Sequence, residues 1–164
     1  MVLYGGVWYA EWSEADGCPC AADAHRGLVV SAFVLDELCA SASGAPVTWE
    51  HSALPAVSAA SSGAERQAAL AHGQVAGVVK AAWVCGATGH AHVVFEIPDA
   101  MPMVCALVDS KILGHLSATH IVGKSEIIEM SLTTSPARPG CNIAGRVPSI
   151  SEYIAEHPPL TKAR

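Results

Sequence analysis

Two runs of β-forming residues, Ser117 to Val122 and Glu126 to Thr134, flank a short turn centred on Gly123-Lys124. Runs of that length around a glycine-bearing turn commit this part of the chain to an antiparallel hairpin. A second pair, Gln74 to Cys85 and Ala91 to Ile97, is folded in the same way at Gly86-Ala87-Thr88-Gly89. Val2 to Trp12 reads as a further strand, with Gly5-Gly6 marking a bulge or a close backbone approach. Val47-Thr48-Trp49 is a short strand leading into His51. Apolar residues at helical spacing predict helices over Leu28 to Cys39 and Pro98 to Ile112. A short third helix runs from Ser149 to His157, capped by Ser149 or Ser151. Glu14 to Arg26 and Ala53 to Ser62 read as loops, and Gly63 to Ala71 as a helical turn or two. The expected fold is α+β: an antiparallel β-barrel or strongly bent sheet surrounded by helices.

At 164 residues the chain has the length of one domain. We expect it over 1–157, with 158–164 as a loose tail beginning at Pro158-Pro159. The apolar share is 51% and the charged share 15%, a balance that argues against disorder. A net charge of −6 without a basic patch argues against a nucleic-acid surface, which needs clustered Lys and Arg. The start, Met1 to Gly6, lacks the positive stretch and apolar run of a signal peptide. The longest apolar run, Gly27 to Leu35, is too short to span a bilayer, so no membrane partner is expected.

Six cysteines invite two other readings. A disulfide framework is not needed by a chain this long and apolar, so free, mostly buried thiols in a reducing compartment are expected. Cys18-Pro19-Cys20 with His25 has the wrong gap for a zinc pair, and no second Cys or His pair matches it. No metal and no cofactor is expected.

The chemistry lies around the second hairpin. A serine hydroxyl needs an adjacent base, histidine suits that task near neutral pH, and a carboxylate must hold the far ring nitrogen. Ser117, His51 and Glu129 supply those groups. The hairpin register decides whether they meet. A three-residue loop at Val122 to Lys124 sets Ser117 opposite Glu129, whereas a two-residue loop at Gly123-Lys124 sets it opposite Met130 and turns Glu129 away. Ser131 is a rival nucleophile, read here as a packed or hydrogen-bonded core residue. His120 and His115 are rival bases, the first on the opposite face of the strand and the second too close along it.

The local sequences carry a resemblance. Glu129-Met130-Ser131-Leu132-Thr133, running into Pro136-Ala137-Arg138-Pro139, resembles a signature of tailed-phage prohead maturation proteases. Gly114-His115-Leu116-Ser117 is similar to their nucleophile segment and Trp49-Glu50-His51 to their Trp-x-His. Tyr4-Gly5-Gly6-Val7-Trp8-Tyr9-Ala10 resembles the opening strand of the related herpesvirus assemblins. The resemblance covers about half the chain. It implies a serine endopeptidase that cleaves scaffold and major capsid proteins, and itself, inside an assembling procapsid. Ser117 would be the nucleophile, His51 the base and Glu129 its carboxylate, where assemblins have a second histidine. Arg138 would hold the place of the assemblin oxyanion arginine, although Pro139 replaces the second arginine of that pair. Leu160-Thr161-Lys162-Ala163 resembles the acyl side of a self-release site after Ala163. A homodimer is implied by the same analogy. The alternative is a non-catalytic capsid- or scaffold-binding module of the same fold.

Overall fold

The computed structural model describes residues 1–10, 32–51, 75–120, 125–136 and 140–161, with isolated positions 62, 64, 65 and 68 between them. In chain order the elements are β1 (Val2–Tyr9), α1 (Ala32–Ala42), β2 (Pro46–Trp49), β3 (Val75–Val84), β4 (Ala91–Ile97), α2 (Pro102–Asp109), β5 (His115–His120), β6 (Ile127–Thr133), β7 (Ile143–Arg146) and α3 (Ile150–Glu156). The strands form one curled seven-stranded sheet in the order β5-β6-β2-β3-β4-β1-β7. At one end its two edges approach each other. His115 bridges Asn142, Leu116 N–H donates to Cys141 C=O at 2.9 Å, and Ile143 N–H donates to Gly114 C=O at 2.9 Å. The fold is α+β with a strongly bent sheet.

One correction concerns strand direction. The sheet is mixed, because β2 pairs with β6 in parallel through Val47↔Met130, Thr48↔Ser131 and Trp49↔Leu132. Every other pairing is antiparallel.

Side-chain alternation explains how the sheet is filled. Val93, Phe95 and Ile97 of β4 enter the main core with Leu116, Met130, Leu132 and Val47, where α1 adds Leu35, Leu38 and Cys39. Residues of the opposite parity on β4 face the other way, so Val94 packs with Trp83 and Tyr153 beneath α3. β4 is therefore buried on both faces. The Gly5-Gly6 pair is both a bulge and a close approach. The β1–β7 register shifts there, and a Cβ on Gly5 would meet the Tyr153 ring at 2.7 Å. At Gly77 a Cβ would collide with the Glu96 carbonyl oxygen, so only glycine fits.

Proline at the first position opens α2, where its missing N–H costs nothing. Ser149 caps α3 by accepting from Glu152 N–H at 3.1 Å. Two segments differ from expectation. β7 falls in a segment to which the sequence assigns no element, and residues 158–160 are tied to the end of β3 where the sequence reads as tail. Cys85 bridges Pro159, Gly86 N–H donates to Pro158 C=O at 3.0 Å, and Leu160 N–H donates to Val84 C=O at 2.9 Å. Four cysteines, Cys39, Cys85, Cys105 and Cys141, are buried thiols outside any disulfide. Among the described residues no helix is long and apolar enough to cross a membrane.

Candidate active site

The site grows from the same alternation that fills the core. On β6, Met130 and Leu132 point into the core while Glu129, Ser131 and Thr133 take the opposite face. On β5, Leu116 points inward and Ser117 and Thr119 do not; on β2, Val47 points inward and Thr48 does not. Three adjacent strands thus lay six hydroxyl or carboxyl side chains on one polar face. All but Thr119 are buried, Ser117 being the least so at 9% exposure.

The hairpin adopts neither of the two registers considered from sequence. Ser117 pairs with Ser131 and Thr119 with Glu129, followed by a bulge before His120↔Ile127. Relative to a direct Ser117–Glu129 pair this is a slip of two residues, so the two side chains stay on one face as diagonal neighbours.

His51 reaches over that face from the turn after β2. Glu50 and His51 both take left-handed backbone conformations, with φ of 48° and 51°. Non-glycine residues in that region cost on the order of 1–3 kcal/mol each and persist only where the surroundings hold them. Here they are held. Glu50 N–H donates to Leu132 C=O at 2.8 Å and His51 N–H to Ser131 Oγ at 2.8 Å. The Glu50 carboxylate accepts from Thr134 N–H at 2.8 Å and from Thr133 Oγ1 at 3.3 Å.

The result is a continuous hydrogen-bond chain. His51 Nδ1 lies 2.7 Å from Glu129 Oε1, and His51 Nε2 lies 3.0 Å from Ser117 Oγ. A carboxylate can only accept, so Nδ1 carries the proton and Nε2 is free to accept from the serine hydroxyl. Burial by itself would raise the Glu129 carboxyl. Hydrogen bonds from His51 and Thr48, the imidazole charge and the Thr119 hydroxyl outweigh it and hold the group below its ordinary value. The carboxylate is 1% exposed and the imidazole 30%, so the ring is supported from inside and open on its outer side.

Comparison with protein-family models, with curated proteins and with solved structures finds no match for this chain. The site must be read from its own geometry.

Ser117, His51 and Glu129 are brought together. The rivals are not part of the chain of bonds. Ser131 is fully buried and serves as the acceptor for the His51 amide. His115 Nδ1 is engaged by Asn142 Oδ1 at 2.8 Å, and His120 follows the bulge that ends regular pairing. Arg138, Ala163, Cys18, Cys20 and His25 lie outside the described residues. Among the described residues no group of three or more His, Cys, Asp or Glu is arranged to hold a metal ion.

Sequence reading missed the support. Thr48 Oγ1 donates to Glu129 Oε2 at 2.7 Å, and Thr119 Oγ1 donates to Glu129 Oε1 at 3.1 Å. Thr119 and Ser131 were within reach of a two-residue-period argument from Ser117 and Glu129. Thr48 was not, because its neighbour in space comes from a parallel contact 81 residues away in sequence.

Proposed function

We propose that this chain is a serine endopeptidase of capsid maturation, its Ser-His-Glu set being the one that the resemblance to prohead proteases implies. The observation that carries the reading is the unbroken Ser117–His51–Glu129 relay, at 3.0 Å and 2.7 Å. Spatial order of hydroxyl, imidazole and carboxylate is what defines such a relay, whatever the sequence order.

In this reading Ser117 Oγ attacks the scissile carbonyl carbon while His51 Nε2 takes its proton. The tetrahedral intermediate collapses, the C–N bond breaks, and the imidazolium returns that proton to the leaving amine. Water then adds to the acyl-enzyme with His51 again as base, and the C–O bond to Ser117 breaks. Glu129 stays ionised throughout and steadies the imidazolium. Scaffold and major capsid proteins are the proposed substrates, the interior of an assembling procapsid the proposed location, and a homodimer the proposed form.

The test is intact mass on a chain lengthened past Arg164, wild type beside Ser117→Ala. We expect the wild type to shorten itself near Ala163 and the variant to stay whole. If both stay whole at concentrations where dimers form, and neither cleaves scaffold or capsid protein, the endopeptidase reading fails and a non-catalytic module of the same fold takes its place.

A further inference from the structure

We propose that Thr48 is a positioning residue of this site: its hydroxyl holds the Glu129 carboxylate in the orientation and charge state that keep the His51 proton on Nδ1. The inference rests on the reading of Ser117 as nucleophile and deepens it.

Glu129 offers two oxygens, both closed to solvent. Oε1 is occupied by His51 Nδ1 at 2.7 Å and by Thr119 Oγ1 at 3.1 Å. Oε2 is met by Thr48 Oγ1 at 2.7 Å. Thr48 and Glu129 are both fully buried, so the hydroxyl does work there that water would do at a surface. The titratable group facing the carboxylate is His51, from the turn after β2. Thr119 faces it from β5 and Thr48 from β2, while the Glu50 carboxylate is turned to Thr133 and Thr134.

The consequence follows from where the negative charge can go. With both oxygens bonded, the carboxylate has no reason to rotate and no reason to take a proton. If Oε2 loses its donor, that oxygen is buried and unpaired, and the simplest relief is protonation of Glu129 or rotation away from His51. Either outcome removes the acceptor that fixes the imidazole tautomer. The parallel β2–β6 pairing sets Thr48 beside Ser131, one pleat from Glu129 on the same face, so the bond is built by the sheet rather than by a loop.

The experiment is the pH dependence of covalent labelling of Ser117 by an alkyl fluorophosphonate, read by intact mass, on wild type, Thr48→Val and Thr48→Ser. Wild type labelled and Ser117→Ala unlabelled establishes the nucleophile separately. For Thr48→Val we expect the plateau rate to fall roughly 10- to 100-fold, the span of one hydrogen bond to a charged group. We also expect the acid limb of the rate profile to shift, and Thr48→Ser to restore both. A merely structural threonine would change stability without moving the acid limb, and that result overturns the proposal. Should Thr48→Val fail to fold, wild type alone decides by NMR. A Thr48 hydroxyl proton protected from exchange and correlated with the Glu129 carboxylate carbon supports the proposal; a freely exchanging one overturns it.

Discussion

His51, in the turn after β2, and His92, on β4, have been given opposite electrical surroundings. His51 meets a buried carboxylate on one ring nitrogen and a serine hydroxyl on the other, with its outer side open to solvent. His92, on β4 beneath α3, is 4% exposed and meets no carboxylate among the described residues. Its Nδ1 lies 3.1 Å from the Tyr153 hydroxyl, and its ring stacks on His157 at 4.3 Å and on Trp83 at 6.1 Å. Burial first, then the charges of His157 and His90, push His92 down to about 4. Tyr153 is pushed up to about 12 by burial and by Glu156 and Cys85, so it stays protonated and donates to Nδ1. In the proposed reading a histidine becomes a base here through the carboxylate behind it and the hydroxyl before it. Without them it is an aromatic filler that resists protonation.

The largest way to break this contrast is activity. Ser117→Ala or His51→Ala should lower peptide cleavage by at least ~10⁴-fold, the usual loss when one member of a triad is removed. His92→Gln should leave cleavage within about twofold of wild type. Comparable losses at both histidines would erase the distinction.

Glu129→Gln should cost somewhat less, roughly 10³- to 10⁴-fold in kcat, because an amide favours the wrong imidazole tautomer while leaving the nucleophile in place. A variant with unchanged kcat would show that the carboxylate only packs.

Stability against pH separates the two sites further. His92 has a folded pKa of about 4, below its ordinary 6.5, so the unfolded chain takes up the proton first on acidification. Its contribution is whole above about pH 6.5 and is lost progressively down to about pH 4, by an amount on the order of 3 kcal/mol. Glu129 is also held low, but as an acid it stabilises above its ordinary 4.5 and is lost only as pH falls below that value. Urea midpoints measured from pH 7 to pH 3 should therefore lose the higher window in His92→Gln and the lower one in Glu129→Gln. The smallest effect is expected at Tyr153→Phe, about 1 kcal/mol from one hydrogen bond, with His92 becoming easier to protonate. An NMR titration of the His92 ring reads that shift directly.

The strands on which this contrast rests were legible in different degrees. Ala91 to Ile97 was readable to the residue, and α3 with its Ser149 cap nearly so, because local pattern and capping chemistry fixed them. The three active groups were readable as residue types. Their register was not, since the sequence between the two strands does not settle it and a slip of two residues preserves the face. β7 gave no signal: four residues with Gly145 at a φ of 141° lack a run of β-formers. The parallel β2–β6 contact and the pairing of Pro159 with Cys85 join distant segments through backbone bonds, to which side-chain patterns are blind.

The most direct test of the relay is reaction with an alkyl fluorophosphonate at neutral pH, followed by intact mass and peptide mapping. Attack by Ser117 forms the O–P bond, fluoride leaves, and His51 takes the proton. The account predicts one adduct, on Ser117, absent from Ser117→Ala and strongly slowed in His51→Ala and Glu129→Gln, with His92→Gln labelled at the wild-type rate. No adduct, or one on another serine such as Ser131, would contradict it.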